Sequence, residues 1–213
     1  MPIRPPGTGK TTTICGLVTR FLTQRPVPSN QTRKAGLQEK PLATKRKILL
    51  CAPSNAAIDE IAQRIKDGYT GSQRHTSTVN VVRVGDKQSM NISVRDISLG
   101  YLVDLERDVQ VDLAPLGSRP SKQKTRQEIL TQADIICCTL SGSGHEMLSD
   151  IDFDMVIIDE AAQSIELSSL IPLKYGCNRC IMVGDPQQLP PTVLSQEVSF
   201  FLLNQALLSK INK

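Results

Sequence analysis

Arg4-Pro5-Pro6-Gly7-Thr8-Gly9-Lys10-Thr11-Thr12 is the stretch on which the fold turns. It reads as a phosphate-binding loop that opens a helix. In such a loop successive backbone N–H groups surround a phosphate, and the positive end of the following helix strengthens the field. Gly7 and Gly9 remove the Cβ atoms that would keep the backbone away from phosphate oxygens. Lys10 supplies a point charge for the β- and γ-phosphates, and the Thr11 hydroxyl suits Mg²⁺. The spacing G-x-x-x-x-G-K-[ST] asks for glycine where this chain has Arg4. A plain Gly/Pro turn followed by a chance Lys-Thr is the alternative reading of the loop alone.

Immediately downstream, residues 10–24 carry Ile14, Leu17, Val18, Phe21 and Leu22 at helical spacing. Upstream, only Met1-Pro2-Ile3 precedes Arg4, too few residues for the buried strand that feeds such a loop. The expectation is a chain truncated at its N-terminal strand.

Further along, Ile48-Leu49-Leu50-Cys51-Ala52 is a continuous apolar run, hence a strand buried on both faces. Pro53-Ser54-Asn55 breaks it, and Ile58, Ile61, Ala62 and Ile65 mark a helix over 56–66 capped by Ser54 or Asn55. The same two side chains suit a polynucleotide phosphate. A loop over 68–77 and a strand over 79–84 follow. Ile97, Tyr101, Leu102, Leu105 and Val109 fit a helix, Pro115, Gly117 and Pro120 a break, and 121–131 a second helix. Residues 87–126 read as a short inserted helical element. Asp134-Ile135-Ile136-Cys137-Cys138 is another buried strand running into Thr139 and a small-residue loop.

The most informative strand is Met155-Val156-Ile157-Ile158-Asp159-Glu160. Four apolar residues deliver two carboxylates to the sheet edge where the phosphate loop lies. Asp159 suits Mg²⁺, through water, and Glu160 suits the attacking water. Residues 179–183 form the last strand and end at Gly184-Asp185-Pro186-Gln187-Gln188. A closing helix is expected over 199–210. Strands alternating with helices imply an α/β parallel sheet covered on both faces.

The 213 residues carry a net charge of +4, which permits a nucleic-acid partner without demanding one. Aromatic residues make up 3% with no Trp, so recognition by base stacking is disfavoured and backbone contacts are expected instead. No run is long enough to span a bilayer. Residues 25–47 are polar and basic, as in a solvated loop, a nucleic-acid-facing loop or an import signal. Cys177 and Cys180 have zinc or redox spacing, but with no second ligand pair the six cysteines read as reduced thiols in cytosol or nucleus.

Four blocks thus stand in order: PPGTGKTTT, APSNAAIDE, DEAAQ and GDPQQLPPTV. Together they resemble the first RecA-like domain of superfamily 1 helicases that move 5′ to 3′. The longer stretches ILLCAPSNAAIDEI, ADIICCTLSGSGHEML and ELSSLIPLKYGCNRCIMVGDPQQLPPTVLS narrow the likeness to the senataxin-like branch, the fungal transcription-termination helicases. The resemblance implies a RecA-like P-loop sheet and ATP-driven movement on single-stranded RNA or DNA, with unwinding of RNA–DNA hybrids. It implies ATP and Mg²⁺ as cofactors, nuclear location and contact with transcription or RNA-processing machinery.

Carried onto this chain, the resemblance gives Gly7, Thr8, Gly9, Lys10, Thr11 and Thr12 to the nucleotide, and Thr11 and Asp159 to the metal. Glu160 becomes the base, Lys10 a catalytic cation, and Gln163 and Gln188 sensors of the γ-phosphate. Ser54, Asn55 and Thr139 match positions that hold the nucleic-acid backbone. The insertion over 87–130 falls where the family carries a helical prong and is short for it. A second RecA-like domain, with its arginine fingers, is not in the 213 residues, so the fragment is not expected to unwind duplexes alone. A non-enzymatic nucleotide- or RNA-binding module is the alternative.

Overall fold

The computed structural model describes residues 9–23, 46–70, 79–113 and 121–185. In chain order the elements are α1 (Lys10–Thr23), β1 (Ile48–Ala52), α2 (Asn55–Thr70), β2 (Val81–Arg83), α3 (Leu99–Leu113), α4 (Lys122–Gln132), β3 (Ile135–Thr139), β4 (Met155–Ile158), α5 (Glu166–Leu170) and β5 (Arg179–Met182). Short 3₁₀ turns fill the connections, among them Lys87–Ser89 and Ile92–Ile97. The expected α/β parallel sheet flanked by helices is what forms.

The five strands among the described residues run parallel in the order β2-β3-β1-β4-β5. Every residue of β1 and β4 is buried, as the unbroken apolar runs require of strands covered on both faces. The period-2 alternation then sorts side chains between two cores. On one face Ile48, Leu50, Ile135, Cys137 and Ile157 meet Ile14 and Val18 of α1 and Ile58, Ile61 and Ile65 of α2. On the other, Leu49, Ile136, Val156 and Ile158 meet Leu99 and Val103 of α3 and Leu130 of α4. The inner ends of α3 and α4 thus belong to the second core, whereas Tyr101, Leu105 and Val109 lie exposed on α3.

Polar groups fix where the strands begin. The Asp134 carboxylate accepts the Asn80 N–H at 2.9 Å, and that of Asp154 accepts the Lys47 N–H at 2.8 Å. Lys47 Nζ donates to the carbonyls of Leu130, Thr131 and Ala133 at 2.8–2.9 Å, a cation at the C-terminal end of α4 where the helix field favours one.

Several boundaries differ from the sequence reading. Helix α2 continues to Thr70, into residues expected as loop. The strand expected over 79–84 is confined to Val81–Arg83. The helix expected from Ile97 starts at Leu99, because Asn91 first caps the turn Ile92–Ile97 through its side chain on the Ser93 N–H. The closing helix over 199–210, the basic stretch 25–45 and the break at Pro115, Gly117 and Pro120 lie outside the described residues.

The six cysteines are all free thiols. Cys51, Cys137 and Cys138 sit wholly inside the sheet, with Cys51 and Cys138 side by side on β1 and β3, their sulfurs 3.8 Å apart. Burial pushes the Cys51 and Cys137 thiols above the ordinary range. Cys180, on β5, is exposed.

Candidate active site and nucleic-acid edge

Parallel pairing brings the C-terminal ends of the strands level. Ala52 pairs with Thr139 and Cys51 with Ile158, so Ser54, Asn55, Thr139, Asp159 and Glu160 all emerge along one edge of the sheet. Between β1 and β4 the chain changes direction across the sheet, the kind of crevice in which open α/β folds bind ligands.

Lys10 is the first residue of α1. Gly9 before it adopts φ +80°, a left-handed conformation that side chains resist, so glycine is needed where the loop turns into the helix. The Lys10 ammonium lies 3.4 Å from Glu160 Oε1. The other oxygen, Oε2, accepts a hydrogen bond from Gln163 Nε2 at 3.1 Å. Lys10, Glu160 and Gln163 therefore form one cluster, although the lysine and the acid are far apart in sequence. Thr11 follows in the first turn of α1, half-buried, and Thr12 is exposed.

Glu160 is the one non-glycine residue with positive φ among the described residues, at +51°. Holding a side chain there costs about 1–3 kcal/mol. Three backbone hydrogen bonds of 2.8 Å keep the turn in place: Asp159 N–H to Cys51, Ala161 N–H to Val183, and Val183 N–H to Ile158. The strain aims the carboxylate out of the strand direction and back toward Lys10.

Asp159 is 6% exposed. Its Oδ1 accepts the Glu160 N–H at 3.0 Å, and Oδ2 accepts no hydrogen bond among the described residues. Burial raises its carboxyl above the ordinary value, against the pull of the Glu160 N–H and with the Glu160 charge adding to the rise. A buried carboxylate with a spare oxygen is the kind of hard donor that Mg²⁺ takes, and a threonine hydroxyl in the first turn of α1 is another.

The raised Asp159 carboxyl has a consequence for stability. A carboxyl that holds its proton more tightly when folded favours folding at low pH. That contribution is lost as pH rises from the unfolded value through the raised folded one. At neutral pH the ionised group opposes folding. Asp159→Asn should therefore raise the melting temperature of the metal-free chain at pH 7, with the gain shrinking toward about pH 3.5, where the folded carboxyl is protonated and the unfolded one mostly so. Thermal melts at the two pH values measure it; a lower melting temperature at pH 7 would contradict the assignment.

On the nucleic-acid side, each expected residue is held by its neighbours. Ser54 Oγ accepts the Ala57 N–H at 3.2 Å, so Ser54 is the cap of α2. Asn55 is not a cap; its Oδ1 accepts from Arg83 Nη2 at 2.8 Å. Thr139 ends β3, and its Oγ1 accepts the Gly142 N–H at 3.0 Å. Gly7, Thr8 and Gln188 lie outside the described residues. Sequence reasoning passed over Arg83 and Asp59. A lone arginine inside the run Val81-Val82-Arg83-Val84 was the available signal.

The family model for the AAA domain matches residues 3–115 and 117–196. The chain belongs to this family. It is similar to Helicase sen1 of Schizosaccharomyces pombe, 34% identical over 98% of this chain and 17% of that protein. Helicase SEN1 of Saccharomyces cerevisiae is 36% identical over 98% of the chain and 13% of its own length. The human protein named Probable helicase senataxin is 31% identical over 97% of the chain and 10% of its length. The resemblance to the senataxin-like branch of superfamily 1 helicases thus holds over nearly the whole chain, which spans less than a fifth of these relatives' length.

Proposed function

We propose that this domain is the ATP-hydrolysing part of a senataxin-type helicase motor, coupling ATP turnover to a single strand of RNA or DNA held along the same sheet edge. The observation that carries the reading is the cluster of Lys10, Glu160 and Gln163 beside Asp159.

Gly7, Thr8, Gly9, Lys10, Thr11 and Thr12 cradle the phosphates. Thr11 and Asp159 would hold Mg²⁺, which supplies charge neutralisation for the departing phosphate. Glu160 takes a proton from the attacking water. Its two oxygens are held by Lys10 and Gln163. Partly exposed ion pairs are weak. Lys10 can therefore turn from Glu160 to a phosphate, and that exchange leaves Oε1 open to the attacking water. Gln163, bonded to Glu160, and Gln188 report the γ-phosphate to the strand-binding edge. Ser54, Asn55 and Thr139 hold that strand by its backbone. RNA–DNA hybrids, nuclear location and association with transcription or RNA-processing machinery follow from the same family reading, as does a prong-like role for the inserted helical element over 87–130.

Phosphate release from ATP, measured with and without oligo-uridine RNA, tests the proposal. RNA-stimulated release is the expected result. Nucleotide binding without release, with or without RNA, would make the chain a binding module instead.

A further inference from the structure

Arg83 is fully buried at the end of β2, yet it carries a charge. Its guanidinium serves three partners. Nε donates to Asp59 Oδ1 at 2.7 Å, Nη2 donates to Asn55 Oδ1 at 2.8 Å, and Nη1 donates to the Val84 carbonyl. The second Asp59 oxygen accepts the Asn91 N–H at 2.7 Å, so the aspartate is satisfied on both sides. Gly85 leaves the room this needs: a Cβ there would lie 2.9 Å from Arg83 Nη1. Burying a paired charge at this cost is unnecessary for a core, since apolar residues of like volume pack as stably.

The fork has a chemical consequence at the sheet edge. A guanidinium nitrogen only donates, so the group of Asn55 that faces it must be the carbonyl oxygen. The Asn55 amide is thereby fixed with its oxygen inward. Its NH₂, which meets no acceptor among the described residues, is the end left for a ligand. Ser54 and Thr139 repeat the pattern, because both hydroxyl oxygens already accept a backbone N–H and keep their protons to donate.

We infer that Arg83 is a positioning residue of the nucleic-acid edge, which fixes Asn55 so that it presents a donor to a phosphodiester oxygen. This rests on the proposal that Asn55 touches nucleic acid. It goes further in naming the atom used and the buried group that selects it. The Asn55 NH₂ and the two hydroxyl protons are donors that match a phosphate backbone, whose oxygens only accept, and such contacts carry no preference among bases.

The test is binding of fluorescein-labelled oligo-uridine RNA by the full chain, read by anisotropy, with fluorescent ATP-analogue affinity and thermal melting alongside. Asn55→Ala should weaken RNA binding about tenfold. Asn55→Asp, whose carboxylate still accepts from Arg83 but presents oxygen outward, should weaken it at least as much with no loss of melting temperature. Arg83→Lys, which can keep Asp59 but cannot span to Asn55, should match Asn55→Ala on RNA while leaving nucleotide affinity unchanged. The double variant should be no weaker than either single one, the signature of residues acting as a unit. If Asn55→Ala has no effect, the reading that Asn55 touches nucleic acid fails. If Asn55→Ala weakens binding but Asn55→Asp binds normally, or if the Asn55 and Arg83 losses add, that contact stands and the positioning role of Arg83 is overturned. Should Arg83→Lys fail to fold, the Asn55→Asp comparison decides.

Discussion

Glu160→Gln is expected to lower ATP turnover by about 10²–10⁴-fold, the range contributed by a positioned general base. Glutamine has the shape of glutamate, so the left-handed turn, its three backbone hydrogen bonds and the partner at Gln163 can all persist. What disappears is the basic oxygen and the charge facing Lys10. Loss of that charge removes one competitor for the Lys10 ammonium, so nucleotide affinity should hold or rise slightly while chemistry stops. Single-turnover phosphate release beside a fluorescent nucleotide titration separates the two effects. A variant that binds and turns over like the parent would remove Glu160 from the chemistry. One that loses binding and turnover together would make its role structural.

The second large effect lies away from the chemistry. Asp59→Ala leaves the Arg83 guanidinium buried with its principal countercharge gone, and breaking a buried pair from one side costs about 3–5 kcal/mol. Urea unfolding at neutral pH reads this as a fall in midpoint. Replacing both partners, as Asp59→Leu with Arg83→Met, removes the stranded charge and should recover most of the loss. The recovered protein is then stable with Asn55 unheld, and should bind single-stranded RNA more weakly than the parent. If instead the double replacement remained as unstable as Asp59→Ala, packing around β2 rather than charge would be what the pair secures.

Much of this arrangement was legible in the chain. Strands β1, β3 and β4 read as buried because both their faces are covered, so each lacks the polar interruptions of an exposed strand. Asp159 and Glu160 were placed correctly at the sheet edge because an apolar run ending in two acids has few other uses. The meeting of Lys10 with Glu160 was implicit in the ordered blocks, which encode a shared edge. The Arg83 network was not legible in the same way. Asn55 and Asp59 lie 28 and 24 positions before Arg83 and meet it only because α2 packs across β2 and β3. An arginine inside an apolar run announces that a partner exists without saying which. The left-handed backbone at Glu160 had no signal either, since glutamate is an unusual residue for that conformation. Strand ends differ by a residue or two where an acid such as Asp134 adds a side-chain bond to the Asn80 N–H beside its own backbone bonds to Asn80 and Ile48, so the pairing fades gradually rather than stopping at the end of the apolar run.

The cysteines sealed in the sheet give the molecule an internal stopwatch. A thiol reagent can reach Cys180 on the folded surface, but Cys51, Cys137 and Cys138 have no exposed area at all. The last two sit next to each other on β3, and Cys51 faces Cys138 from β1, so all three become reachable only when the middle of the sheet comes apart. Their modification rate therefore counts separations of β1 from β3, whereas Cys180 records only the surface. A ligand that tightens the edge beyond Ala52 and Thr139 would slow the three inner thiols together and leave the outer one unchanged, so occupancy of the site could be timed without labelling any residue that forms it.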